Sequence, residues 1–297
     1  MVAPARYFPV KPGSRLQAGL LRLGTDFGNG VLDQRYFQID DQYERYLAEK
    51  RGLDRTGRPR HARHGWLTDT PAQRAAHEVV LAWMRETLAR EYPERMPLER
   101  PGEIYVSPYD AIVRNLQEDV AVVQRTAAAG SAQASTDELS MVHVSFPGAW
   151  RSDRAVGKSF HAIHEPVPGF ADEPAAAASM VSAMIDRGPY VRFVWSACAD
   201  DFLDHHPDHG LRAAWDDTCT EGFLRVERQL TVPFPAVDAS VFLIRVLVYP
   251  FSSLSHEQRR TLAEAIAAMP EDARRYKGLD EPGQRLIELL TGAGSAG

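Results

Sequence analysis

Apolar residues recur along the chain with two periods, and the change from one to the other divides it. Between Thr70 and Tyr92, the residues Val79, Val80, Trp83, Met84 and Leu88 form one stripe at helical spacing. Thr70 offers a side-chain oxygen as N-cap and Pro71 a preset φ for the first turn, which predicts an amphipathic helix over this segment. A shorter helix is predicted from Asp40 to Arg51, where Tyr43, Tyr46 and Leu47 recur among charges, followed by a polar, basic loop to about Gly65. Further on the period becomes two. Runs rich in Val, Phe, Ile and Leu predict strands at Asp119 to Arg125, Ser140 to Phe146, Pro189 to Ala197, Phe223 to Val232 and Ser240 to Tyr249. The stretch AAAGSAQAS at 127–135 reads as a flexible loop, and the Pro/Gly-rich entry (Pro9, Pro12, Gly13) as irregular chain. Glu173 to Arg187 is Ala-rich and helical, and His256 to Met269 is an amphipathic helix ended by Pro270. Strands with only short helices between most of them predict an antiparallel sheet in an α+β fold. The expected organisation is one domain, with a helical N-terminal region (about 1–115) packed on a sheet region (about 116–280).

Composition narrows the class. A chain of 297 residues with 44% hydrophobic and 25% charged residues is neither wholly disordered nor fibrous, and can bury a sizeable core. Thirty-four basic against forty acidic residues give a net charge of -6, which argues against a general phosphate-binding surface for nucleic acid. Cys198 and Cys219 are the only cysteines and form no CxxC pair, so zinc ribbons, cysteine-ligated iron–sulfur clusters and disulfide scaffolds lack their ligands. The N-terminal MVAPARYFPVKPG has no uninterrupted apolar stretch, and no run approaches the roughly 18 apolar residues of a membrane span. The expectation is a cytoplasmic protein with reduced thiols and neither a nucleic-acid nor a membrane partner. GxGxxG, GxxxxGK[ST] and GxSxG are missing.

Some residues break the pattern. On the strand from Phe223, the positions Leu224, Val226, Arg228, Leu230 and Val232 share a face; on the strand from Ser240, Val241, Leu243, Arg245, Leu247 and Tyr249 do the same. Arg228 and Arg245 therefore point at the core and need an anion there, internal or supplied by a ligand. In SFPGAWRSDRAVGKSFHAIHEPVPGF (145–170), His161 and His164 stand three apart and share a face if 158–164 is helical, so that one could bind a metal while the other acts nearby. Either could equally be an ordinary histidine. The segment DDFLDHHPDHG (200–210) holds metal-ligating residue types but no apolar wall, and reads as a solvated loop.

These residues belong to a longer series. FPVKPG (8–13), FQID…Y (37–43), SFPGAW (145–150), GK…IHEPVPG (157–169), RxxW (192–195), RVERQ (225–229), FLIR (242–245) and MPEDARRYKGL (269–279) together resemble the haem-dependent oxidative N-demethylase-like family. The resemblance implies a PAS-like antiparallel sheet wrapped by helices and enclosing haem b. It also implies an enzyme subunit that oxidises a small N-methylated amine with O₂ and with electrons from NAD(P)H, delivered by an external flavin or iron–sulfur reductase. In that setting His164 is the expected axial ligand of the iron, and Lys158, Arg228 and Arg245 are expected partners of the haem propionates. His161 is the neighbouring catalytic candidate. Glu227 is a candidate acceptor for the cationic amine, or else an internal partner of Arg225 or Arg192. Val194 stands where the family usually has Asn, which implies a larger or less polar amine. The alternative is a PAS-like haem sensor without turnover.

Overall fold

The computed structural model of the chain describes residues 6–11, 19–53, 57, 64–127, 135–210, 212–279 and 283–292. Pro12, Gly13, most of the basic loop before Gly65 and residues 128–134 of the expected flexible loop lie outside them. Seven antiparallel strands form one sheet among the described residues: β1 (Leu21–Arg22), β2 (Gly65–Trp66), β3 (Glu118–Ala127), β4 (Ser135–His143), β5 (Tyr190–Cys198), β6 (Phe223–Phe234) and β7 (Ala239–Pro250). Their order is β1-β5-β6-β7-β3-β4-β2. With helices packed on both sides, this is an α+β fold.

The five long strands are those that the alternation predicts, with shifted ends. β4 begins five residues before the expected Ser140 and stops at His143, so Val144, Ser145 and Phe146 leave the sheet. The N-terminal region, expected to be helical, also supplies β1 and β2, the two outermost strands. Helices α2 (Tyr43–Arg51), α3 (Pro71–Glu91), α6 (Pro174–Asp186) and α7 (His256–Ala267) match the expected segments. In α3, Thr70 accepts from the Gln73 amide and Gln73 reaches back to the Thr70 amide, a complete capping box ahead of Pro71. Short helices α1 (Val31–Gln34), α4 (Pro108–Val113), α5 (Phe160–His164), α8 (Glu271–Lys277) and α9 (Gly283–Thr291) complete the set.

Register assigns every strand residue to a face. Arg228 lies opposite Arg245 and Phe193, and Arg245 opposite Glu118, so these four share one side with Val226, Leu230, Leu243 and Leu247. That side is closed at one end by Tyr43 and Leu47 of α2 and Val80, Met84 and Leu88 of α3, and at the other by Leu262 and Ile266 of α7 and Leu286 and Leu290 of α9. On the second side, Ala121, Val123, Leu139 and Val142 pack under Phe160 of α5 and Ala177, Val181 and Ile185 of α6. Arg192, Val194 and Ser196 of β5 lie on this second side, opposite Gln229, Glu227 and Arg225 of β6. Unlike the first, it is only partly covered: Arg192, Val194, Glu227, Gln229, Phe242 and Val248 are all half-buried.

Candidate functional site

His164 ends α5 over the second side of the sheet, and the chain fixes its position in steps. The amide of Gly157 donates to the Leu139 carbonyl, and the Leu139 amide donates to that of Lys158, so the approach to α5 runs along β4. Ser159 caps the helix on the Ala162 amide, and the Asp137 carboxylate accepts from the Phe160 amide. Phe160 then anchors the turn in the core. One turn later His164 Nδ1 donates to the Phe160 carbonyl at 2.8 Å, its ring 4.1 Å from the Phe160 ring and 5.4 Å from that of Phe170. A carbonyl only accepts, so this bond puts the imidazole proton on Nδ1 and leaves a lone pair at Nε2. Burial holds the imidazole below its usual range; the Phe160 carbonyl opposes this and the Arg192 charge adds to it. The result is a neutral histidine with an unprotonated Nε2.

Beneath it, the polar side of β5 and β6 carries the charges. Glu227 accepts from Gln229 Nε2 at 3.0 Å and lies 3.7 Å from Arg225 Nε. Gly148 comes so close that a Cβ there would sit 3.0 Å from Glu227 Oε1 and press on that carboxylate. Arg225 donates to the carbonyls of Phe146 at 2.8 Å and Leu203 at 2.8 Å, binding the 145–150 turn and the 200–210 segment to the sheet. Burial works against the Arg192 charge, and Glu227 and Tyr276 offset only part of that. At the far side of β5, Lys277 of α8 donates to the Trp195 carbonyl; burial pulls its pKa down to about 8 although Glu227 opposes the shift.

The predicted residues are divided between the two sides. His164 and Glu227 occupy the second. Arg228 and Arg245 are buried on the first, as the alternation requires, and their partners there are internal: Arg245 pairs with Asp40 at 2.8 Å over the Tyr46 ring, and Arg228 donates to the carbonyls of Arg35 and Tyr36. The whole sheet separates them from His164. His161 bonds the Ala171 carbonyl through Nε2 at 3.0 Å, and the Lys158 side chain is exposed.

The 200–210 segment is not a solvated loop. Asp204, His205, His206 and His209 are buried, and each imidazole has its own carboxylate: His205 with Asp200, His206 with Asp153 and His209 with Asp204. Pairing makes burial affordable for groups that would not enter a core alone. Sequence reading includes Tyr276 and Lys277 in MPEDARRYKGL and Arg192 in RxxW, but gives the first two no role and Arg192 only that of a possible partner of Glu227. A signal for Arg192 was present, since Tyr190, Arg192, Val194 and Ser196 alternate onto a face as polar as the Arg225, Glu227, Gln229 and Thr231 face beside it.

An α+β fold whose antiparallel sheet carries a neutral, helix-borne imidazole over a charged strand face presents the donor type that metal-centred prosthetic groups accept. Residues 30–287 match the family model of haem-dependent oxidative N-demethylase, alpha subunit-like proteins, and the chain belongs to that family. No helix among the described residues is long and apolar enough to cross a membrane.

Proposed function

We propose that the protein is a haem-dependent oxidoreductase that oxidises a small amine, by oxidative N-demethylation or a related N-centred oxidation. The observation that carries the reading is His164: neutral, with Nδ1 committed to Phe160 and Nε2 left to ligate iron. The residues around it fit haem in kind, with aromatic rings of Phe160 and Phe170 at the imidazole and cationic groups within the same half-covered face. Haem b, when bound, supplies the activation of O₂ with electrons from outside this chain, and a flavin or iron–sulfur reductase using NAD(P)H is the fitting donor. The chain's own residues do the rest. His164 would hold the iron through Nε2. Glu227, kept in place by Gln229 and the Gly148 turn, accepts the cationic N–H of the amine. Val194, directly opposite Glu227 in the β5–β6 pair, gives that pocket an apolar wall and favours larger or less polar amines. Overall, O₂ with two electrons and two protons would convert the N-methyl group to formaldehyde and leave the demethylated amine and water. Lys158, exposed at the approach to α5, is left as a partner for a propionate, whereas Arg228 and Arg245, on the other side of the sheet with internal partners, and His161, bonded to the Ala171 carbonyl, have no part in this reading.

The test is spectroscopic first. Protein supplied with hemin should show a Soret band that shifts on reduction and with CO, and His164→Ala should abolish or radically change it while His161→Ala does not. N-methylated amines should perturb the ferric spectrum, and with a flavin reductase and NADPH should drive O₂ uptake and formaldehyde release. A protein that takes up no hemin sinks the reading. Haem binding without any response across an amine panel favours the sensor.

A further inference from the structure

Four arginines project from β5, β6 and β7, and three have their charge answered inside the protein. Arg245 has Asp40, Arg225 has the carbonyls of Phe146 and Leu203, and Arg228 has those of Arg35 and Tyr36. Arg192 differs. Among the described residues its guanidinium has no carboxylate within 4.0 Å and no hydrogen bond at any nitrogen; a buried, unbonded Nε is common to all four, but the other three bond through their remaining nitrogens. It lies on the half-covered side of the sheet, in the charge environment of His164 and Glu227. The nearby carboxylate, Glu227, is already bonded to Gln229 and close to Arg225, and the adjacent Lys277 adds a second cation. A guanidinium cannot shed its proton to escape such a setting, and its planar fork matches a carboxylate.

We propose that Arg192 is the carboxylate-binding residue of this site, pairing with a carboxylate carried by the molecule that binds there. Two sources bring that chemistry: a haem propionate, or the carboxylate of a substrate that is an N-methylated amino acid. The inference rests on the haem reading above, since it places both molecules over the same face as His164. Arg192 is then a binding residue that waits for its anion. That is the opposite of a structural cation, whose removal would leave an internal partner stranded.

Wild type, Arg192→Met and Arg192→Lys should be titrated with hemin and with hemin dimethyl ester, read at the Soret band. The hemin-loaded proteins should then be titrated with N-methylalanine and with N-methylethylamine, which differ only by the carboxylate, read in the ferric spectrum. If the propionate is the partner, wild type prefers hemin over its ester by about ten- to a hundredfold, Arg192→Met loses that preference and Arg192→Lys keeps part of it. If the substrate carboxylate is the partner, the hemin-to-ester ratio is unchanged by substitution. The Kd for N-methylalanine then rises about ten- to a hundredfold in Arg192→Met while that for N-methylethylamine does not. In both cases the ligand-free Arg192→Met protein melts at or above the wild-type temperature. Neither preference changing overturns the assignment, and so does a ligand-free variant that unfolds or melts well below wild type. Failure of wild type to take up hemin is a separate result that removes the haem reading together with this proposal.

Discussion

Each buried charge in this protein can be judged by what its removal leaves behind. Burial opposes the charge of Arg245, but Tyr46, Asp40 and Glu118 together hold it firmly ionised. Asp40 in turn accepts from Gln117 Nε2 at 2.8 Å and from the Gln42 amide at 2.9 Å, so the carboxylate is wholly within the fold. Arg245→Met would leave Asp40 buried without its counter-ion, and the expected loss is about 3–5 kcal/mol in urea unfolding at neutral pH. The double variant Arg245→Met with Asp40→Asn should recover much of this, because the stranded charge is then gone; equal losses in single and double variants would show that the pair itself, and not its unpaired member, carries the cost. Lys50 is a second case, its Nζ shared among the carbonyls of Val113 and Glu118 and the Asp119 carboxylate at 3.3 Å. These groups tie α2 to the start of β3.

At the scale of elements, local sequence rules act with measurable weight. Thr70→Ala removes the acceptor for the Gln73 amide at the head of α3, and is expected to lower stability by ~1 kcal/mol, seen as a fall in melting temperature without change in far-ultraviolet helicity. A Thr70→Ser variant keeps the oxygen and should melt near wild type. The same local rules explain what was legible beforehand. α3 announces itself because a cap, an N1 proline and an apolar stripe agree, and β6 and β7 because ten or more residues alternate. β1 and β2 have two residues each, too few for any period to appear, and become strands only because β5 and β4 offer them partners. The His164 turn was legible as a turn, but its tautomer depends on the Phe160 carbonyl, a contact that sequence does not disclose. DDFLDHHPDHG misled because most of its residues are polar, whereas its burial depends on Leu203 reaching the core and on which carboxylate meets which imidazole. Arg228 and Arg245 show the limit of alternation: it yields their burial correctly and is silent on which side of the sheet a ligand would lie.

For the whole molecule, buried histidines are one coupling between stability and acid. Burial pushes His143 down to about 3, although its bond to Asp110 opposes the shift, and burial likewise lowers His77, His164 and His205. The unfolded chain binds protons on these groups near pH 6.5 while the native state resists them, so their contribution to stability rises with pH, for His143 between about 3 and 6.5. The contribution of His143 is fully present above the unfolded value and drains away as pH falls toward the folded one. His143→Gln should therefore flatten the slope of unfolding free energy between pH 6 and pH 4 by about 1.4 kcal/mol per pH unit, whatever it does to stability at neutral pH. Parallel acid limbs for variant and wild type would mean that His143 is already protonated in the native state.

The pairing at the flanks of the sheet has a different consequence, for association. β5 is covered outside by Leu21 and Arg22, by the Leu23 amide on the Pro189 carbonyl and by Lys277 on the Trp195 carbonyl. β4 is covered by Gly65 and Trp66, by the Leu67 amide on the Ser140 carbonyl and by the exchange between Leu139 and residues 157–158. Much of what an incoming strand would need as a template is already occupied at both margins, by pieces too short to serve as templates themselves. Another polypeptide is thus turned away from the backbone ladder and toward side chains, where recognition depends on shape and charge and an accidental match is rarer.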